Sequence, residues 1–329
     1  MFKGLLLSLA VILTPPASVP EHISPLVPAQ HFRPVTVPFE YFNHHIYITL
    51  TLNGMPGMVF LLDTGTTKNI LNLRASEAMG LQPVSIKQAK GLGLGSGKIY
   101  VAAAKDIDAR IGGIQVANVM AIVDLRGLEQ HFGHREDGIL GFPFLQKFVV
   151  VLDFDARTLT LLPARRFKYR GAGNTVFLLD KSKSTLIRVI LGTVGNSRRH
   201  TNVDIDTGSD VTLLLYPRYV RRTHMEGVFP AKPPWQGYGL GGYFPVKVGH
   251  LQSLQIGPIE VTPLAVFQMQ SDPLPSAEKN ISGLIGDSLL DRFQKVVFDI
   301  PGGRIIFELK PPSHVSANPP IPPVAPLLR

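Results

Sequence analysis

The sequence holds no cysteine. Disulfides, thiol catalysis and Cys-based zinc sites are thereby excluded, while the compartment stays open, since exported proteins also do without cysteine. Charged residues are scarce, at 17% against 45% apolar, which is the balance of a packed globular protein and not of a disordered chain. Aromatic residues do not interleave with the basic pairs Arg165-Arg166, Arg198-Arg199 and Arg221-Arg222. The net charge of +9 therefore reads as a solvated basic surface with no nucleic-acid platform, attraction to acidic substrates or a membrane surface being the other reading. Beyond the amino terminus no apolar run has the length of a transmembrane helix, and patterns for long helices are few. Glycine and proline, by contrast, are plentiful, and apolar β-branched runs are short, which points to strands and turns. A chain of 329 residues has room for two cores of ordinary domain size.

The two ends read differently from the middle. Lys3 precedes an apolar run from Gly4 to Leu13 and then Thr14-Pro15-Pro16-Ala17-Ser18, the order of a secretory signal. Residues 1–22 are thus expected to export the chain to a periplasmic or extracellular space, or to tether it to a membrane if uncleaved. The run is too short to span a bilayer comfortably. Residues 18–37 lack periodicity and read as a linker, and the Pro-rich residues 313–329 read as a disordered or polyproline tail.

Between the ends the chain repeats itself. Tyr47–Leu52 alternates, meets the hairpin signal Asn53-Gly54, and returns through Met58–Leu62 to Asp63-Thr64-Gly65-Thr66. The second copy runs through Leu186–Leu191 and a turn at Gly195-Asn196 to Asp206-Thr207-Gly208-Ser209. Each is followed by a Gly-rich hairpin, Gly91-Leu92-Gly93-Leu94-Gly95 and Gly237-Tyr238-Gly239-Leu240-Gly241. A turn-strand signal comes next, at Ile111–Val116 and Ile256–Val261. Last come Gly138-Ile139-Leu140-Gly141 and Gly283-Leu284-Ile285-Gly286, both continuing to Leu and Phe, at Leu145 and Phe148 or Leu290 and Phe293. The intervals from Asp63 to Gly138 and from Asp206 to Gly283 agree within two residues. Four landmarks in one order, at a period far longer than a solenoid repeat, mean two similar lobes. The expected lobes are residues 23–165 and 166–312.

Two lobes packed about a pseudo-twofold axis would bring Asp63 and Asp206 together. Two carboxylates in contact cannot both ionise easily, so they share a proton and titrate as a pair. The ionised member can take a proton from water while the neutral member polarises a substrate carbonyl, which is amide hydrolysis by general acid–base catalysis. Gly65 and Gly208 let the backbone turn closely under the carboxylates. Thr66 and Ser209 can hydrogen-bond their outer oxygens, and Thr64 and Thr207 can reach across between lobes.

With its paired Asp-Thr-Gly turns, Asp137-Gly138-Ile139-Leu140-Gly141, and Leu284-Ile285-Gly286-Asp287 with Val297-Phe298-Asp299, the sequence resembles the pepsin/retropepsin superfamily of aspartic proteases over roughly residues 40 to 310. It is more similar to the compact two-repeat proteases of bacteria than to animal pepsins, lacking cysteine and a long basic pro-segment. The resemblance implies an all-β, bilobal, pepsin-like fold of two homologous β-barrel-like lobes, and a cleft between them for a polypeptide substrate. It further implies an aspartic endopeptidase with Asp63 and Asp206 as its dyad, no metal or organic cofactor, and a monomer sufficient for activity. Gly93, Leu94 and Gly95 in the first lobe and Gly239, Leu240 and Gly241 in the second are the expected flap residues. The first flap has no tyrosine, unlike vertebrate pepsins; Tyr100 follows it.

Other readings are weaker. A silent peptide-binding protein on the same fold is the alternative; substituting either Asp would leave its binding largely intact. Asp-x-Gly-Thr at Asp63 also resembles phosphate-binding turns of actin-like ATPases, which need long helices after the strands, and this chain offers few. Gly91–Gly97 meets neither the Walker A nor the dinucleotide spacing. His131 and His134 with Glu136 and Asp137 are too loosely spaced for a metal site and read as a solvated loop. Asp153 and Asp299 read as turn or ion-pair residues, and Trp235 and Phe229 as packing or cleft-lining side chains.

Overall fold

The computed structural model describes residues 5–6, 33–81, 84–89, 99–182, 184–193, 197–230, 233–271 and 280–311. The expected export signal beyond Leu5–Leu6, the Pro-rich tail, the expected first-lobe flap residues Gly93, Leu94 and Gly95, and the expected Gly195-Asn196 turn lie outside them.

Two hairpins set up the first lobe. Strand His45–Leu52 pairs with Met55–Leu62 across Asn53-Gly54, where both residues take positive φ (48° and 83°). That is the conformation a two-residue turn demands of Asn-Gly, because it matches the twist of the strands. The same device joins Ile99–Ile111 to Ile114–Val123 at Gly112-Gly113. In the second lobe the corresponding strands are Ile187–Thr193 and Ser197–Asp206, paired from Ile187 with Val203 to Thr193 with Ser197.

Among the described residues the strands form sheets of ten and thirteen members, the larger folded back where Thr51 and Leu52 pair with Arg110 and Ala109. The larger sheet carries the molecule's symmetry. Strand Phe148–Asp153 pairs antiparallel with Phe293–Asp299, Val150 opposite Phe298 and Asp153 opposite Lys295. Each of these has its own hairpin partner, Thr158–Pro163 and Arg304–Leu309. The carboxyl-terminal strands of the two halves thus meet edge to edge and join the lobes in one platform. The hairpins at Asp153 and Asp299 close on those carboxylates: Ala156 N donates to Asp153 Oδ1 (2.9 Å) and Gly302 N to Asp299 Oδ1 (3.0 Å).

The fold is bilobal and β-rich, though not purely β. Helices Leu73–Ala78, Arg126–Phe132, Phe142–Leu145, Pro217–Arg222 and Asp287–Leu290 follow strands as short turns. Asn72 caps the first by accepting from Arg74 N, and Gly133, at φ 65°, ends the second in the left-handed conformation that glycine tolerates best. One large core spans both halves, with Phe60, Phe144, Phe154, Phe293, Phe298 and Phe307 fully buried.

Candidate active site

Strand Met55–Leu62 runs parallel to Gly138–Leu140 and delivers Asp63, whose N–H donates to Leu140 O (2.9 Å). The chain then turns tightly on its own carboxylate: Gly65 N and Thr66 N both donate to Asp63 Oδ1, at 2.9 and 3.0 Å. The second copy has the same plan. Strand Ser197–Asp206 runs parallel to Gly283–Gly286, and Gly208 N donates to Asp206 Oδ1 (3.1 Å). Both carboxylates are buried.

The structure brings these two turns into contact. A Cβ on Gly65 would stand 2.6 Å from Asp206 Cγ, so the second carboxylate occupies the space that the first turn's missing side chain leaves. The threonines reach across: Thr64 Oγ1 donates to Ile205 O (2.6 Å) and accepts from Thr207 N (3.1 Å). In return, Thr207 Oγ1 donates to Leu62 O (2.8 Å) and accepts from Thr64 N (3.1 Å). Four hydrogen bonds with no water between them lock the turns in register. Thr66 and Ser209 are fully buried, but Thr66 Oγ1 has no hydrogen-bond partner among the described residues, so the bond expected from it to an outer carboxylate oxygen is not made.

Glycines permit the strand that backs each turn. A Cβ on Gly141 would collide with Lys68 O, and one on Gly286 with Ser209 O and Val211 O. After these glycines the lobes part. Phe142 N donates to Thr66 O (2.8 Å), and Asp287 N to Ser209 O (2.7 Å), so a phenylalanine in one half stands where a carboxylic acid stands in the other. Asp287 is fully buried, and neither carboxyl oxygen has a hydrogen-bond partner among the described residues. Burial, reinforced by the charges of Asp206, Asp291 and Asp63, holds it protonated well above the usual carboxylate range.

Two further buried groups flank the site. Glu136 accepts from Tyr47 Oη (3.0 Å), its Oε2 has no partner among the described residues, and burial pushes its carboxyl up to about 8. His45 is 1% exposed with neither ring nitrogen hydrogen-bonded among the described residues, and burial pulls it down to about 4. Sequence patterning missed His45 as a buried group and Asp287 as a third acid. The signal for Asp287 was its place after Gly286, opposite Phe142 in the repeat. Asp137, by contrast, is structural: Arg74 Nη2 (2.9 Å), Arg135 Nη2 (2.8 Å) and Val59 N (2.9 Å) all hold its carboxylate.

Of the residues expected in a second flap, Gly239 ends one strand of a hairpin and Leu240-Gly241 form its turn, between Trp235–Gly239 and Gly242–Leu251. Among the described residues no group of three or more His, Cys, Asp or Glu could hold a metal ion. His131 stacks on Tyr238 (4.1 Å between centroids), while His134 stacks on Tyr47 (3.8 Å) and pairs with Glu40 (3.3 Å). Phe229 is core, and Trp235 is half-exposed on the hairpin.

Residues 48–147 match the family model described as "gag-polyprotein putative aspartyl protease". No curated protein matches the chain by sequence. Among solved structures, the aspartic proteinase from Irpex lacteus aligns over 84% of this chain and 97% of its own, with 15% identity and a TM-score of 0.51. At that identity the likeness is one of fold. The family match covers less than half of the chain, all of it in the first half.

Proposed function

We propose that the chain is an aspartic endopeptidase in which Asp63 and Asp206 share one proton and activate a water molecule against a peptide bond. The observation that carries this reading is the seating of the Asp206 carboxylate against Gly65, with the four-bond threonine lock beneath it. Two carboxyl groups so held cannot both be charged at acid pH. The ionised one takes a proton from water as the oxygen adds to the carbonyl carbon, and the neutral one gives its proton to the carbonyl oxygen. The resulting diol collapses as the first carboxyl protonates the amide nitrogen, the second recovers its proton from the diol, and the C–N bond breaks. Backbone N–H groups donating to Asp63 Oδ1 and Asp206 Oδ1 fix the orientation of both carboxyls.

Within the superfamily, the cysteine-free, two-repeat chain fits the compact bacterial type. The amino-terminal pattern favours action after export, and the presence of both halves in one chain favours a monomer. The test is cleavage of a denatured protein mixture across pH 3 to 7, beside Asp63→Asn and Asp206→Asn. Activity in the parent and its loss in both variants is the expected result. Peptide capture without cleavage by all three proteins would instead identify a silent peptide-binding protein.

A further inference from the structure

The second-lobe hairpin does not stay on its own lobe. Tyr238 lies face to face with His131 of the first-lobe helix Arg126–Phe132, at 4.1 Å and 10° between ring planes. It meets Phe132 edge-on (6.4 Å) and its cross-strand partner Tyr243 edge-on (4.8 Å). Tyr243 Oη stands 3.4 Å from His131 Nδ1. The Tyr238 hydroxyl reaches the helix where it has no side chain: a Cβ on Gly127 would stand 2.7 Å from it. Tyr238 and Leu240 also pack on a first-lobe apolar cluster that includes Leu61, Ile99, Leu125, Leu128 and Ile139. Leu61 is two residues before Asp63, and Ile139 is its register partner. The hairpin tip therefore rests on an apolar cluster that extends to the residues leading into Asp63. Tyr243 and Trp235 both stay largely exposed, and Gly242, just past the turn, has a φ of 92° that only glycine adopts readily.

We propose that this hairpin is an autoinhibitory lid, latched on the first lobe by the Tyr238–His131 stack, and that an apolar substrate segment must displace Tyr238 and Leu240 to reach the carboxylates. The proposal rests on the peptidase reading for its consequence, but not for its test. A ring stack of this geometry moves an equilibrium by up to about tenfold, so removing it should raise the open population by that factor.

The chain has no cysteine, so a single introduced thiol reports one place. Leu128→Cys puts a thiol in the covered surface, one helical turn before His131. Its alkylation rate in the full chain should rise about tenfold when His131→Ala is added and return towards the parent rate with His131→Phe, which keeps a stacking ring. Leu254→Cys, fully buried in the second lobe, is the control and should not respond. A Leu- and Phe-rich peptide with a reduced, uncleavable bond should bind the His131→Ala chain more tightly by the same factor. Equal labelling rates in parent and His131→Ala backgrounds, acceleration of Leu254→Cys alongside Leu128→Cys, or unchanged peptide affinity would each overturn the lid. If labelling and affinity separate as expected while no background cleaves any protein, the lid stands and the peptidase reading fails.

Discussion

Glu136→Gln should make the protein more stable, by an amount that grows with pH. Glu136 is fully buried beside Tyr47, and burial moves its carboxyl from an ordinary 4.5 to about 8. Because the folded-state value is raised, the native chain holds this proton more tightly than the unfolded chain does. Below pH 4.5 both states are protonated and the group contributes nothing. As pH rises from there the unfolded state ionises first, and stability falls until the native carboxyl also ionises near pH 8. At 1.36 kcal/mol per pH unit the loss is roughly 3 kcal/mol by pH 7 and roughly 5 kcal/mol in full. Glutamine is isosteric, keeps an acceptor for the Tyr47 hydroxyl, and carries no titrating proton. Urea unfolding of parent and variant at pH 4.5, 6, 7 and 8 would give the difference directly, since the other titrating groups cancel between them. A gap that opens with pH follows from a neutral buried Glu136. A gap constant across that range would refute it.

Asp287→Asn should act with the same sign, because its folded carboxyl is also raised, first by burial and then by Asp206, Asp291 and Asp63. Its advantage over the parent should grow as pH climbs above 3.8, measured by the same unfolding series. Thr64→Val and Thr207→Val each remove two buried cross-turn bonds and strand a backbone N–H, and should cost roughly 2–4 kcal/mol by denaturant midpoint. Gly65→Ala places a methyl 2.6 Å from Asp206 Cγ, so it should abolish cleavage even where the fold survives, as judged by circular dichroism. Phe60→Ala, deep under the first turn, should lose roughly 3–5 kcal/mol of stability.

Much of the local structure was legible in the chain itself. Asn53-Gly54 and Gly112-Gly113 mark their turns because few other residues take positive φ there, and the repeated glycines mark where a strand must pass under a turn without a side chain. The duplication, read from spacing, announced two similar halves and paired two aspartates by analogy between copies. What the spacing could not carry was any contact between residues far apart in the chain. Pairing of Val150 with Phe298, the seating of Asp206 against Gly65, and the reach of Tyr238 to His131 depend on how the lobes dock, and no local pattern encodes a docking. Burial is likewise a tertiary quantity. Glu136, Asp287 and His45 are ordinary polar letters in sequence, and only removal from water by residues from other segments turns them into a neutral acid near pH 7, a neutral acid beside two catalytic candidates, and an uncharged imidazole. The sequence by itself thus determined the turns, the repeat and the residues able to do acid–base chemistry. Their meeting and their charge states were decided only by the packing of one half against the other.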